Sequence, residues 1–184
     1  MNIFMFIKFL IILIMAVKLI TLNINGLNCK KKQQNLFEYI QENNFNIVNL
    51  QEHNLKNQDD LLDIFKEYFH VFISESINLK GGTAILLDKN ITNNIIQVEK
   101  SSDSRITSVK FIVGKKQLHI LNIYAPSGSK FHQERKELFK TEILYYLRNN
   151  LSNTLICGDF NCIINKRDMI KMATAPYQRV YKIP

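Results

Sequence analysis

The chain contains no tryptophan, only three cysteines, three prolines and six glycines among its 184 residues. The cysteines are Cys29, Cys157 and Cys162. An odd count with no Cys-x-x-Cys pair excludes a closed disulfide framework and points to a reducing compartment. Cys157 lies in an apolar, strand-like run, where a buried free thiol is expected. Scarce proline and glycine, with no internal repeat or low-complexity stretch, leave no linker that divides residues 18–165. This length holds one domain with a substantial core and not two comfortable ones. The missing tryptophan goes with abundant Ile, Leu, Asn and Lys, a bias that AT-rich coding explains as readily as chemistry does.

What is present is a globular composition, 46% hydrophobic and 22% charged, with a formal charge of +8 and a pI of about 9.4. A basic domain favours an anionic partner, and nucleic acid is the usual one. The basic residues are scattered, however, and the one tight cluster, Lys30-Lys31-Lys32, reads as a solvated loop face. The N-terminus stands apart. Residues 3–17 are apolar except for Lys8. That stretch is short for a spanning helix, which needs about 20 residues, although Phe9 to Val17 has the form of a signal-peptide h-region. Three readings compete: sequence upstream of a true start at Met15, a signal or anchor that would bring membrane contact, or a buried strand. The domain is accordingly set at residues 17–170, between an apolar segment over 1–16 and an irregular tail over 171–184.

The order of elements follows from periodicity. Val17 to Asn23 is β-rich and ends at the turn signal Asn25-Gly26. Gln33 to Glu42 carries Leu36, Phe37 and Ile40 at helical spacing. Asn46 to Leu50 reads as a short buried strand, and Asp59 to Tyr68 as a helix with Leu61, Leu62, Ile64 and Phe65 on its apolar face. Strands are expected at His70–Ser74, Thr83–Leu87, Ile95–Glu99, Ile106–Val113 and Gln117–Tyr124. Gly81-Gly82 and Gly114-Lys115-Lys116 supply turn chemistry between them. A long helix fits Phe131 to Asn149, with Leu138, Phe139, Ile143, Tyr146 and Leu147 inward. Thr154 to Cys157 is a last buried strand, delivering Gly158-Asp159. This order predicts a layered α/β domain rather than a simple doubly wound sheet.

Several polar residues fall at the ends of these strands: Asn23 and Asn25, Glu52, Tyr124 and Asp159. Singly, each has a plain structural explanation. Asn-Gly is usually a turn, a terminal Glu is usually solvated, Tyr124-Ala125-Pro126 fits a strand exit, and Asp159 fits a turn cap. As a set they are less easily explained. Aligned at one sheet edge they would gather two carboxylates, amides and a phenol. Hard oxygen donors of this kind suit Mg²⁺, which often takes only one or two carboxylates and completes its shell with water and substrate phosphate. A phosphodiester needs such a cation against charge developing in the transition state.

Five segments, Leu22-Asn23-Ile24-Asn25-Gly26-Leu27, Leu50-Gln51-Glu52, Gly81-Gly82-Thr83-Ala84, Asn122-Ile123-Tyr124-Ala125-Pro126 and Gly158-Asp159-Phe160-Asn161, resemble in order and spacing the endonuclease/exonuclease/phosphatase superfamily. Within it they are most similar to the apurinic-endonuclease-like domain of LINE-type non-LTR retrotransposons. The resemblance spans about residues 17–170 and implies a DNase I-like fold: a four-layered α/β sandwich with the site at one end. It also implies roles. Glu52 matches the metal-binding glutamate, with Asn25 beside the metal and Asn23 lining the site. Tyr124 matches the tyrosine that contacts the scissile phosphate. Asp159 matches the aspartate that orients or deprotonates the attacking water, and Asn161 its phosphate-binding companion. Mg²⁺, or Mn²⁺ in its place, is the implied cofactor. Arg105 resembles an arginine with a structural or backbone-contact role. Lys130 and Arg135 are placed to touch DNA phosphate, though a solvated helix face explains them too.

One part of the pattern is missing. The family carries its catalytic histidine in a Ser-Asp-His motif near the C-terminal end. The four histidines here, His53, His70, His119 and His132, all come too early. His119 sits within a strand and reads as structural, while His53, directly after Glu52, is expected at the rim. The sequence therefore reads as a fold incomplete at its C-terminus. The expected function is a Mg²⁺-dependent DNA endonuclease of retrotransposon type that nicks one strand, weak or inactive in this form. The alternatives are a superfamily phosphoesterase acting on lipid or RNA, and a non-catalytic remnant. DNA is the expected partner, the chain a monomer, and the location intracellular with access to the nucleus; the signal-like N-terminus leaves a secreted or membrane location as the minor alternative.

Overall fold

The computed structural model describes residues 17–76, 81–148 and 153–162. The apolar segment over 1–16 and the tail over 171–184 lie outside the described residues. Eight strands form two four-stranded sheets. The first has the order β1-β2-β4-β3, with β1 at Leu19–Asn23, β2 at Ile47–Gln51, β3 at Phe69–Ser74 and β4 at Thr83–Asp88. The second has the order β5-β6-β7-β8, from Asn94–Lys100, Ile106–Val113, Lys116–Tyr124 and Thr154–Asp159. Each sheet is mostly antiparallel and has one parallel pair at an edge: β1 with β2, and β7 with β8. Parallel neighbours need a crossover, and helix α1 (Lys30–Glu42) supplies it between β1 and β2.

Strand alternation sorts the side chains into three apolar layers. Val48 and Leu50 of β2, and Ala84 and Leu86 of β4, pack outward against Leu36, Phe37 and Ile40 of α1 and Phe65 of α2 (Asp63–Tyr68). Ile47, Ile85 and Leu87 face inward, against Val109, Phe111, Ile120 and Cys157 of the second sheet. Ile106, Leu121 and Ile123 pack on the far side beneath Leu138, Ile143 and Tyr146. The order helix, sheet, sheet, helix is the expected four-layered sandwich. Fully burying each such Leu, Ile or Val contributes about 1.5–3 kcal/mol.

The elements depart from expectation in three places. The helix read as starting at Asp59 is divided: Gln58–Asp60 is a 3-10 turn closed by a capping box from Asn57, and α2 starts only at Asp63. Asn57 Oδ1 accepts from the Asp59 and Asp60 amides, while Asp60 returns a carboxylate to the Asn57 amide. That reciprocal bonding caps the N-terminal end of the turn, and the extended backbone at Leu61 (φ −81°, ψ 146°) ends it before α2 begins. The long helix after Phe131 is likewise three pieces: α3 (His132–Glu137), a π-turn at Leu138–Glu142 and α4 (Ile143–Leu147). The inward residues are nevertheless those expected. Lys30-Lys31-Lys32 is not a loop face but the first turn of α1, with Lys30 Nζ on the Asp60 carbonyl at 2.8 Å and Lys32 Nζ on the Ile24 carbonyl at 2.6 Å.

Candidate active site

Parallel pairing brings strand ends to one edge. Asn23 lies in register with Gln51, so Glu52 emerges beside it, and Tyr124 lies in register with Asp159. Stacking the two sheets then sets the ends of β1 and β2 against those of β7 and β8. At the mouth of the site one side chain links the carboxylates of the two sheets. Asn23 Nδ2 donates to Glu52 Oε1 at 2.9 Å and to Asp159 Oδ2 at 2.9 Å, so a single amide nitrogen bridges two carboxylates from different sheets. Its oxygen accepts from the Asn25 amide at 3.2 Å, which fixes which end of the side chain faces the acids.

The backbone is bent to make this possible. Asn25, Glu52 and Asn161 have φ of 47°, 55° and 44°, in the left-handed region. Asn tolerates that conformation through its short polar side chain, but for Glu it costs about 1–2 kcal/mol. Such strain persists where surrounding bonds over-determine it, and it clusters at functional sites. Here the Gly26 amide donates to the Glu52 carbonyl at 2.6 Å and the Leu27 amide to the His53 carbonyl at 2.7 Å. Gly158 is required next to Asp159: a Cβ there would lie 1.9 Å from the Ile123 carbonyl oxygen.

Asp159 has both oxygens engaged, Oδ2 by Asn23 and Oδ1 by the Asn161 amide at 3.1 Å. Asn161 Nδ2 donates to the Ala125 carbonyl at 2.8 Å, tying this loop to the chain just after Tyr124. The Tyr124 phenol is pushed up to about 12, first by burial and then by donating its proton to Glu52, with Ser127 opposing the shift by a hydrogen bond to its oxygen. It therefore remains a proton donor at neutral pH. Asn25 is exposed beside these groups.

All six proposed site residues are thus joined by hydrogen bonds: Asn23, Glu52, Tyr124 and Asp159 through their side chains, and Asn25 and Asn161 through their backbone amides. Among the described residues no group of three His, Cys, Asp or Glu converges on one point. Two carboxylates with neighbouring amide oxygens still fit Mg²⁺, which needs only one or two carboxylates from the protein. In that arrangement Glu52 and Asn25 would be the protein's donors, with Asp159 beside them, and the bound cation would supply charge neutralisation at a phosphate oxygen.

His53 corrects the expectation of a rim residue. It is fully buried; Nδ1 accepts from the Leu55 amide at 3.0 Å, so Nε2 carries the proton and donates to the Ser74 carbonyl at 3.1 Å. Desolvation lowers its pKa to about 4. The same imidazole excludes a side chain at Gly82, where a Cβ would lie 2.5 Å from Nε2. His119 is structural as expected, held between Ser108 Oγ at 2.8 Å and Thr154 Oγ1 at 3.1 Å. Arg105 pairs with Asp103 at 3.1 Å, and its carbonyl accepts from the Tyr124 amide at 2.8 Å, a backbone role at the site's edge. Arg135 does not present a free guanidinium: Nη1 donates to the carbonyls of Pro126 and Gly128 and shapes the loop after Tyr124. Lys130 lies over the Phe131 ring.

Three contributors had no role assigned from sequence: Ser127, Gln51 and Asn122. Ser127 carried no signal. Gln51 and Asn122 did, as amides at inward positions of otherwise apolar strands.

A family model described as the Endonuclease/Exonuclease/phosphatase family matches residues 20–179. The exodeoxyribonuclease of Bacillus subtilis (strain 168) is 24% identical over 163 residues, which cover 83% of this chain and 61% of that protein. Among solved structures, TDP2 from D. rerio, complexed with a single-strand DNA product, superposes with a TM-score of 0.65 at 17% identity, covering 88% of this chain and 66% of that one. An AP endonuclease from Archaeoglobus fulgidus superposes at 0.60 with 19% identity, covering 85% and 63%. TDP2 from C. elegans gives 0.65 and 18%, covering 80% and 48%. The chain thus spans between about half and two thirds of the length of these relatives. With the family model running through Asn23, Glu52, Tyr124 and Asp159, and with the same sandwich in each structure, the chain belongs to the endonuclease/exonuclease/phosphatase family.

Proposed function

We propose that the chain carries the metal-binding half of a Mg²⁺-dependent DNA endonuclease site, of the kind that nicks one strand in retrotransposition. The observation that carries this reading is the Asn23 amide shared by Glu52 and Asp159 at 2.9 Å each. It holds two carboxylates together at the open end of the sandwich, with a protonated phenol alongside. In the chemistry proposed, Glu52 and Asn25 would hold the cation, which would neutralise charge on the phosphate, and Tyr124 donates to a non-bridging phosphate oxygen. Asp159, held by Asn23 and the Asn161 amide, orients the attacking water and takes its proton. The net charge of +8 supports an anionic polymer as substrate.

His53, the histidine next to Glu52, is buried and committed to Ser74 and Leu55, so it supplies no donor to a transition-state oxyanion. Loss of one such donor costs about 10²–10³-fold, and slow turnover by the described residues is expected. The test is nicking of supercoiled plasmid with Mg²⁺, comparing wild type with Glu52→Ala and Asp159→Ala. A slow, EDTA-sensitive nicking activity is expected, reduced at least about 100-fold by either substitution. Nicking that both variants retain in full would refute the assignment. A lipid or RNA phosphoester is the second substrate class, and release of phosphate or phosphocholine from lipid, or of nucleotides from RNA, without plasmid nicking would establish it.

A further inference from the structure

The layer between the two sheets is apolar over most of its extent, from Ile47, Ile85 and Leu87 on one side to Val109, Phe111 and Ile120 on the other. Beneath the site it turns polar. Gln51 and Thr83 are register partners across β2 and β4, and Thr107 and Asn122 across β6 and β7. All four are at most 1% exposed. Five bonds cross between the sheets here, two of them side chain to side chain: Gln51 Nε2 donates to Asn122 Oδ1 at 2.7 Å, and the hydroxyls of Thr83 and Thr107 lie 2.8 Å apart. Thr107 donates to the Thr83 carbonyl at 3.1 Å, so Thr83 is the donor of the hydroxyl pair. Asn122 Nδ2 donates to the carbonyls of Leu50 and Ala84, both at 2.9 Å, and Gln51 Nε2 also reaches Thr21 Oγ1 at 2.9 Å.

We infer that this buried polar square is the positioning element of the site, setting the offset of one sheet against the other. Apolar packing is non-directional, so it holds the sheets together without fixing their lateral register. Hydrogen bonds fix distance and direction together. Glu52 follows Gln51 directly, Tyr124 is two residues beyond Asn122, and Asp159 is the register partner of Tyr124. The separation of Glu52 from Tyr124 and Asp159 is therefore set one layer below the site, by residues that never reach its mouth. A role confined to stability would not need these bonds at the site end, because Ile85 and Phe111 fill the same layer without any. The inference rests on the hydrolytic reading above, since it says what holds that site in shape.

The test compares Asn122→Leu, which keeps the volume and removes the amide, with Ile85→Ala, which weakens the same layer outside the square. Two readouts are taken on the full chain: single-turnover plasmid nicking with Mg²⁺, and the NMR signals of the Asn23 side-chain amide, which bridges the two sheets at the site. With Asn122→Leu the maximal rate is expected to fall about 10–100-fold, as small misplacements of reacting groups do. The plasmid concentration for half-maximal rate should change much less, and the Asn23 signals should shift or broaden. Ile85→Ala, at a comparable drop in unfolding midpoint, should leave both readouts near wild type. Equal effects of the two variants on rate and on Asn23 would overturn the inference. If wild type nicks nothing, the hydrolytic reading fails, and the Asn23 signals alone decide whether the square positions these groups. If Asn122→Leu does not fold, Thr107→Val, which removes one hydroxyl from the square, is judged by the same criteria.

Discussion

At the scale of single residues, His53 shows how a backbone turn changes a side chain's fate. A residue directly after a metal-binding candidate reads as another wall of the site. The φ of 55° at Glu52 breaks the strand's alternation, and the next side chain dives beneath Gly82 instead. Nothing in the local pattern of Leu50-Gln51-Glu52-His53 announces that turn, so the burial was not legible. It has a measurable consequence. The folded-state pKa of about 4 lies below the ordinary 6.5 because burial penalises the imidazolium. As pH falls below 6.5 the unfolded chain takes up a proton that the folded one refuses until about pH 4. The stabilisation is therefore complete above 6.5 and is lost across that window. From pH 7 to pH 5 this amounts to about 2 kcal/mol. Urea unfolding at the two pH values should show a drop of this order, with a smaller one in His53→Gln. The same drop in wild type and variant would mean that other groups carry it.

At the scale of elements, legibility followed how local the determining signal is. β6 and its hairpin to β7 came out at their expected ends, because alternation in Ile106–Val113 and the Gly114-Lys115 turn are encoded within a few residues. The buried faces of α1 and of the helix pieces after Phe131 were legible for the same reason. The start of α2 was not. Leu61, Leu62, Ile64 and Phe65 satisfy helical periodicity, but Asn57 and Asp60 cap a short turn of their own, and the backbone then runs extended through Leu61 and Leu62. Capping of this kind is a competition between side-chain and main-chain acceptors that apolar spacing does not register. Asn57→Ala should remove both amide contacts of the box and cost about 1 kcal/mol, within the range for lost caps. Chemical denaturation would measure it, and Gln58→Ala, outside the box, should be nearly neutral. The site residues themselves were legible as strand-end polar groups in five ordered segments. The square that holds them was not, because Gln51, Thr83, Thr107 and Asn122 meet only after both sheets have formed.

At the scale of the molecule, the two sheets finish on the same side. β1 is the end strand of one and β8 of the other, and Asn23 and Asp159 touch across them. Among the described residues β8 pairs only with β7, and it exposes Leu155 at 49% and Ile156 at 38%. β1 likewise pairs only with β2, and Val17 just before it is 39% exposed. A strand edge with no pairing strand among the described residues, beside exposed aliphatic side chains, is a template for adding another strand, and proteins usually blunt it with charge. None of Leu155, Ile156 and Cys157 is charged. The chain by itself should therefore be a monomer when dilute and should aggregate through this edge as its concentration or temperature rises. Leu155→Lys places a gatekeeping charge at the most exposed of these positions, where little packing is lost. It should raise the concentration at which light scattering begins, while leaving the unfolding free energy within about 0.5 kcal/mol of wild type, as for other surface changes. Leu144→Lys on α4 is the control, because Leu144 is 48% exposed but lies on a helix whose backbone groups are already paired. If both lysines protect equally, exposed apolar area drives the aggregation and the open strand edge does not.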